Sequence, residues 1–124
     1  MTPQSLAHVN GEIVPINEAK ISLLDWFFLH SDATYDVAHV WDGHFFRLDE
    51  HLQRYFAGTK KLRMTIPYNE TQLTALLVKL VGQSGLRNAY VEMITTRGVP
   101  ESGSLDPRTC KKPVFRFCSA LCLD

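Results

Sequence analysis

Between Thr34 and Arg47 the chain alternates with a strict period of two. Tyr35, Val37, His39 and Trp41 are interleaved with Thr34, Asp36, Ala38 and Val40, and after Asp42-Gly43 the segment His44-Phe45-Phe46-Arg47 returns. Alternation of this kind places successive side chains on opposite faces of a strand. Asp-Gly supplies the two residues that a tight type I′ turn needs at positive φ. The segment therefore predicts a β-hairpin, and any fold must be built around its two unlike faces. A shorter hairpin precedes it, with His8-Val9, the turn Asn10-Gly11, and Glu12-Ile13-Val14 stopped by Pro15. Two helices are predicted next. Asp49 is placed to cap a helix over Glu50 to about Leu62, with Leu52, Tyr55, Phe56, Thr59 and Leu62 on one stripe. Asn69 is placed to cap a second, where Leu73, Leu76, Leu77, Leu80 and Val81 recur at helical spacing before Gly82 and Gly85. Gly58 weakens the first helix by about 1 kcal/mol relative to alanine. Ala89 to Thr96 alternates again as a strand, a Gly-, Ser- and Pro-rich loop covers Gly98 to Lys112, and Val114 to Cys118 reads as one more short strand. The order ββ, ββ, αα, β(β) predicts an α+β fold, a mostly antiparallel sheet with two helices on one face.

Composition limits the function classes. The 124 residues suit one domain, and 13 Lys+Arg against 13 Asp+Glu give no charge excess to attract nucleic acid or an anionic membrane. No apolar run approaches the roughly 18 residues of a spanning helix, and Met1 to Asn10 lacks the pattern of a signal peptide. Cys110, Cys118 and Cys122 crowd into the last fifteen residues, an odd and poorly spaced set for a disulfide framework. A reducing, cytoplasmic setting is the expectation. Neither the histidines nor Cys118-x3-Cys122 fall at metal-ligand spacing, so no metal site is expected.

A set of local patterns, in order from about residue 8 to residue 98, resembles the class IV aminotransferases, the fold-type IV pyridoxal-phosphate enzymes. The patterns are Val9 to Pro15, Ala19 to Ser22, Asp25 to Asp36 (DWFFLHSDATYD), Trp41 to Arg54 and Tyr90 to Gly98. Within that family His30 to Asp36 and Tyr90-Val91-Glu92 look most like the (R)-selective amine transaminases. The resemblance implies that residues 1–98 form the family's N-terminal small domain, with 99–124 a loop and an atypical C-terminal tail. It implies pyridoxal 5′-phosphate as cofactor, a small-molecule amine and a keto acid as substrates, and a homodimer.

Residue by residue, the pattern and the resemblance differ in what they say. Arg54 lies off the apolar stripe of its helix, and by pattern alone it is a solvated arginine. The resemblance makes it the ligand of the cofactor phosphate, a task suited to a guanidinium fork that donates two parallel hydrogen bonds. Tyr35 and Val37 share one strand face, as do Tyr90 and Glu92, and each could simply be half-buried strand surface. The matching family positions, with that of His30, line the substrate pocket. A glutamate at Glu92 would oppose the carboxylate of an α-amino acid by roughly 4 kcal/mol at about 4 Å and an effective dielectric near 20. The resemblance thus favours simple amines; otherwise Glu92 is a polar residue on the solvent side of an edge strand.

The family's chemistry also needs a lysine that holds the cofactor covalently. None of Lys20, Lys60, Lys61, Lys79, Lys111 or Lys112 matches that position. The chain accordingly reads as a truncated form with no catalytic residue of its own. The expectation is half of an enzyme; the alternative is a non-catalytic binding or dimerising module or a degenerate remnant.

Overall fold

The computed structural model describes residues 2–110 and 119–124. Strands β1 (Leu6–Val9) and β2 (Glu12–Pro15) form the first hairpin. A short helix α1 (Trp26–His30) precedes the long strand β3 (Ala33–Trp41), which turns into β4 (His44–Phe46). Helices α2 (Leu48–Lys61) and α3 (Glu70–Ser84) follow, then β5 (Ala89–Thr96) and β6 (Ser119–Leu123). Among the described residues these six strands make one sheet in the order β2-β1-β6-β5-β3-β4, with every neighbouring pair antiparallel. The α+β architecture agrees with the reading of the sequence.

Both hairpins close on left-handed pairs, Asn10 (φ 55°) with Gly11 (φ 82°) and Asp42 (φ 49°) with Gly43 (φ 80°), as their turn dipeptides require. The second tip is tied to the chain leading into β5. Arg87 donates from Nη2 to Asp42 Oδ1 at 2.7 Å, and the Gly43 amide donates to the Arg87 carbonyl at 2.8 Å. Asn69 caps α3 reciprocally with Gln72, each side chain accepting from the other's backbone amide at 2.8 and 2.9 Å. The helix runs on through Gly82 and stops at Gly85, whose φ is 72°.

One local expectation is corrected. Helix α2 begins at Leu48, and Asp49 lies in its first turn rather than at the cap. The connection from β4 is so short that Arg47 makes the bend itself at φ 54°, and Asp49 and Glu50 instead face the positive end of the helix dipole. In the DWFF run, Phe27 takes part in α1, capped by the Asp25 side chain, and Ser31 supplies the left-handed residue (φ 55°). The strand expected over Val114 to Cys118 lies outside the described residues. The segment Ser119–Leu123, within what the sequence reading set apart as a tail, is paired between β1 and β5.

Helix α2 lies on β3, and α3 on β1 and β6, so both long helices cover one sheet face. The core between them comprises Leu52, Tyr55, Leu73, Leu77 and Leu80 against Val40, Val91, Met93 and Cys122, all buried. Tyr55 is anchored within it by a hydrogen bond to Thr95. The apolar side chains of Leu23, Leu24, Phe28 and Leu29 remain exposed around α1.

Gly82 within α3 and Gly85 at its C-terminal cap should respond oppositely to alanine. A Cβ at Gly82 meets nothing within 4 Å, so Gly82→Ala should stabilise the fold by about 0.5–1 kcal/mol. At Gly85 the left-handed backbone and Pro3 Cα, 3.5 Å from the new Cβ, should make Gly85→Ala cost about 1–2 kcal/mol. Urea unfolding midpoints moving in opposite directions would confirm both.

Candidate functional site at the open edge of strand β3

Strand β3 has one covered side and one open side. Eight of its residues pair with β5, from Ala33 opposite Thr96 to Val40 opposite Ala89. On its other edge β4 pairs only with His39, Val40 and Trp41, so among the described residues β3 has no strand neighbour there from Ala33 to Ala38. Alternation splits its side chains as the sequence predicts. Asp36, Ala38 and Val40 are buried on the helix side, whereas Tyr35, His39 and Trp41 are exposed and Val37 is half-buried on the other.

Asp36 is the unusual member of the buried set. Its side chain is only 4% exposed, yet it carries a carboxylate in the phase of the core. The carboxylate turns toward the open edge and collects four donors. Oδ1 accepts from the Val37 amide at 2.9 Å, from His51 Nδ1 at 3.0 Å and from Arg54 Nη2 at 2.9 Å. Oδ2 accepts from Arg54 Nε at 2.7 Å. An ionised carboxylate can only accept, so this geometry places the His51 proton on Nδ1. The 3.4 Å approach of Arg54 Nη2 to the same nitrogen then sets donor against donor and is not a hydrogen bond. Burial pushes the Asp36 carboxyl upward. The hydrogen bonds from Arg54, His51 and Val37, with the Arg54 charge, outweigh it and hold the group below its ordinary value of 3.8. In turn Asp36 raises the Arg54 guanidinium further.

Arg54 is thus gripped from behind and open in front. Asp36 takes the Nε and one Nη2 hydrogen, while Nη1 is bonded to no other described residue and the side chain is 72% exposed. A guanidinium has five N–H donors, so the end-on Nη1/Nη2 pair remains to meet an anion bidentately. It does so on an open groove of about 400 Å³ shared with Phe46, Arg47, Glu50 and His51. Arg47 is itself paired with Glu50 at 3.2 Å. The donor set fits a phosphate group.

The sheet face away from the helices carries the remaining strand residues. Val37 stands opposite Glu92, Tyr35 opposite Ile94, and His39 opposite Tyr90. Tyr90 stacks on His39 with ring centroids 5.4 Å apart. Tyr35, Val37, Tyr90 and Glu92 therefore share one surface, with Glu92 half-buried beside an aliphatic neighbour and in no ion pair among the described residues. Arg54 opens instead on the groove with Phe46, Arg47, Glu50 and His51, which none of Tyr35, Val37, Tyr90 and Glu92 lines. His30 lines a different pocket, of about 260 Å³, with Trp26, Leu29, Val99 and Leu105, and its ring meets Trp26 edge-on at 4.6 Å. Of the described lysines, Lys20, Lys60, Lys61 and Lys79 are exposed, and none lines the Arg54 groove. Among the described residues no cluster of histidine, cysteine or acidic side chains could hold a metal ion.

Several residues that organise this region lie within the family-like patterns but received no role from them. Asp36 and His51 hold Arg54. Arg97 pairs with Asp32 through Nε at 2.8 Å and Nη2 at 3.2 Å, and the buried Asp25 accepts from Thr96 Oγ1 at 2.9 Å. With the Trp26 amide donating to the Gly98 carbonyl at 3.0 Å, these bonds bind α1 to the end of β5. A carboxylate in the core phase of β3 was the available signal for Asp36, since burial of a charge demands a cationic partner.

Acid should expose the Asp36 network. Its folded-state pKa lies below 3.8, so its contribution is fully present above the unfolded value and is lost as pH falls through the folded one. Exposed Asp42 and Asp106 are also depressed, by their arginine partners Arg87 and Arg108. Asp36→Asn should therefore flatten, without abolishing, the fall in unfolding free energy below about pH 4, as read from urea titrations across that range.

A sequence model of the amino-transferase class IV family matches residues 33–121. A Methanocaldococcus jannaschii protein, provisionally named a branched-chain-amino-acid aminotransferase, is 34% identical over 92% of this chain and 39% of its own length. The D-alanine aminotransferase of Listeria monocytogenes is 34% identical over 73% of this chain and 32% of its own length. The chain thus spans about two fifths or less of these curated relatives. In fold it is similar to the crystallised T.th. branched-chain amino acid aminotransferase complexed with N-(5′-phosphopyridoxyl)-L-glutamate. That match has a TM-score of 0.76 and 25% identity over 94% of this chain and 40% of the other. The Escherichia coli branched-chain amino acid aminotransferase gives a TM-score of 0.76 at 18% identity, over 97% and 40%. With the family pattern covering most of the chain, and a matching sheet and helix arrangement, this protein belongs to the class IV aminotransferases.

Proposed function

We propose that this chain supplies the phosphate clamp and one wall of the substrate pocket of a pyridoxal-phosphate-dependent aminotransferase, which moves an amino group between an amine or amino acid and a keto acid. The observation that carries this reading is Arg54, its fork held at the back by buried Asp36 and open at the front on the groove with Phe46, Arg47, Glu50 and His51. That is the donor set a phosphate monoester requires. The phosphopyridoxyl ligand named for the T.th. enzyme supports the same cofactor class. When bound, the cofactor supplies the electron sink for amino transfer.

The chain's own residues have binding and orienting roles. Arg54 holds the phosphate and so fixes the ring relative to β3. Tyr35 and Val37 on β3, with Tyr90 and Glu92 on β5, present the wall that faces the substrate, whereas His30 lines a separate pocket beside α1. Glu92 places negative charge on this wall with no cation beside it among the described residues, which favours an amine without an α-carboxylate over an amino acid. The amine that carries the cofactor covalently is contributed from outside the described residues, because the described lysines lie exposed on helix surfaces and in a loop.

Two measurements test this. Pyridoxamine 5′-phosphate should bind the chain at least about tenfold more tightly than pyridoxamine, and Arg54→Gln should abolish that preference, as read by equilibrium dialysis at low ionic strength. An unchanged preference in the variant would overturn the assignment of Arg54. Treatment with pyridoxal phosphate followed by borohydride should give no stoichiometric adduct at a single lysine by mass spectrometry; such an adduct would show the covalent site to lie within this chain.

A further inference from the structure

Resting on the phosphate reading of Arg54, we propose that Asp36 is a positioning residue for the phosphate clamp: its buried carboxylate selects which edge of the Arg54 guanidinium faces the ligand. Charge alone argues the other way. Asp36 neutralises Arg54, so by net charge it should weaken attraction for a phosphate, and a carboxylate placed beside the ligand would act as a brake.

The geometry sets the two effects apart. Asp36 is 4% exposed and takes the lateral edge of the fork, bonding Nε at 2.7 Å and Nη2 at 2.9 Å. Two coplanar bonds fix the plane of the guanidinium and its rotation within that plane. The end-on Nη1/Nη2 edge is then the one presented away from the carboxylate, toward solvent. Without Asp36 the arginine, exposed over most of its length, has no other bonded partner among the described residues to hold it. Asp36 itself cannot swing out to compete, because the Val37 amide at 2.9 Å and His51 Nδ1 at 3.0 Å hold Oδ1 from the strand and from α2. The arrangement prepays the ordering of a long side chain, and a preorganised donor pair binds an anion better than a mobile one. The negative charge stays behind the fork.

The test compares wild type, Asp36→Asn, Asp36→Glu and Arg54→Gln. Its probes are pyridoxamine 5′-phosphate and pyridoxamine, neither of which carries an aldehyde to react with lysines. Asp36→Asn should lose about tenfold in affinity for the phosphorylated probe with no change for the other, and Asp36→Glu should restore part of it. The wild-type Arg54 Nε proton, assigned by its absence from Arg54→Gln, should exchange slowly with water at neutral pH in nitrogen-edited spectra. It should broaden in Asp36→Asn while circular dichroism stays constant. Unchanged or tighter binding of the phosphorylated probe by Asp36→Asn, with Arg54→Gln defective, overturns the positioning role and leaves the clamp intact. Phosphate preference unaffected by Arg54→Gln removes the clamp itself, and the proposal with it. Should Asp36→Asn not fold, a rapidly exchanging Arg54 Nε proton in the wild-type protein still suffices to overturn the proposal, and a slow one supports it.

Discussion

The antiparallel register between β3 and β5 governs everything else in this protein. Eight consecutive pairs, from Ala33 opposite Thr96 to Val40 opposite Ala89, put Ala38, Val40, Val91 and Met93 beneath the helices. The same pairs put Tyr35, Val37, Tyr90 and Glu92 on the opposite surface. A slip of one residue would exchange the two sets, exposing the core and burying the candidate substrate wall. The demand for a dry core therefore also fixes the chemistry of the outer face. Stability and the candidate site are specified by one constraint.

Asp36 breaks the rule that this register imposes. It sits in the phase of the core, where a charge is costly unless it is paired and hydrogen-bonded. The structure meets that demand where β3 has no strand neighbour among the described residues, because the free edge leaves the Val37 amide available and lets His51 and Arg54 approach from α2. The burial problem and the orientation of a surface arginine thus have a common solution. A polar residue in the core at that position would need no cation, and Arg54 would then be an unheld side chain on a helix surface.

A second set of polar contacts ties one end of the β3–β5 pair to the segment before it. Asp25 with Thr96, Asp32 with Arg97 and Trp26 with Gly98 bind α1 to the end of β5. Because the Arg97–Asp32 pair is partly buried, solvent and salt screen it less than the exposed Arg108–Asp106 pair. Short helix α1 is too brief to be stable by itself, so these contacts, rather than helix propensity, keep His30 and Trp26 in place.

Much of this was written locally. Turn dipeptides at Asn10-Gly11 and Asp42-Gly43, the period-two runs of β3 and β5, and the Asn69–Gln72 capping box each depend on backbone angles and contacts only a few residues apart. The sequence by itself determined those elements and which side chains share a strand face. It did not determine the start of α2, where the tight exit from β4 forced Arg47 into a left-handed bend and displaced Asp49 from the cap. Nor did it place Ser119–Leu123 between β1 and β5, since a slot in a sheet is filled by pairing with strands distant in the chain. The pairing of Asp36 with Arg54, 18 residues later, was likewise decided only when α2 packed on β3. Alternation says that a carboxylate points inward; only the tertiary structure supplies the cation that meets it there.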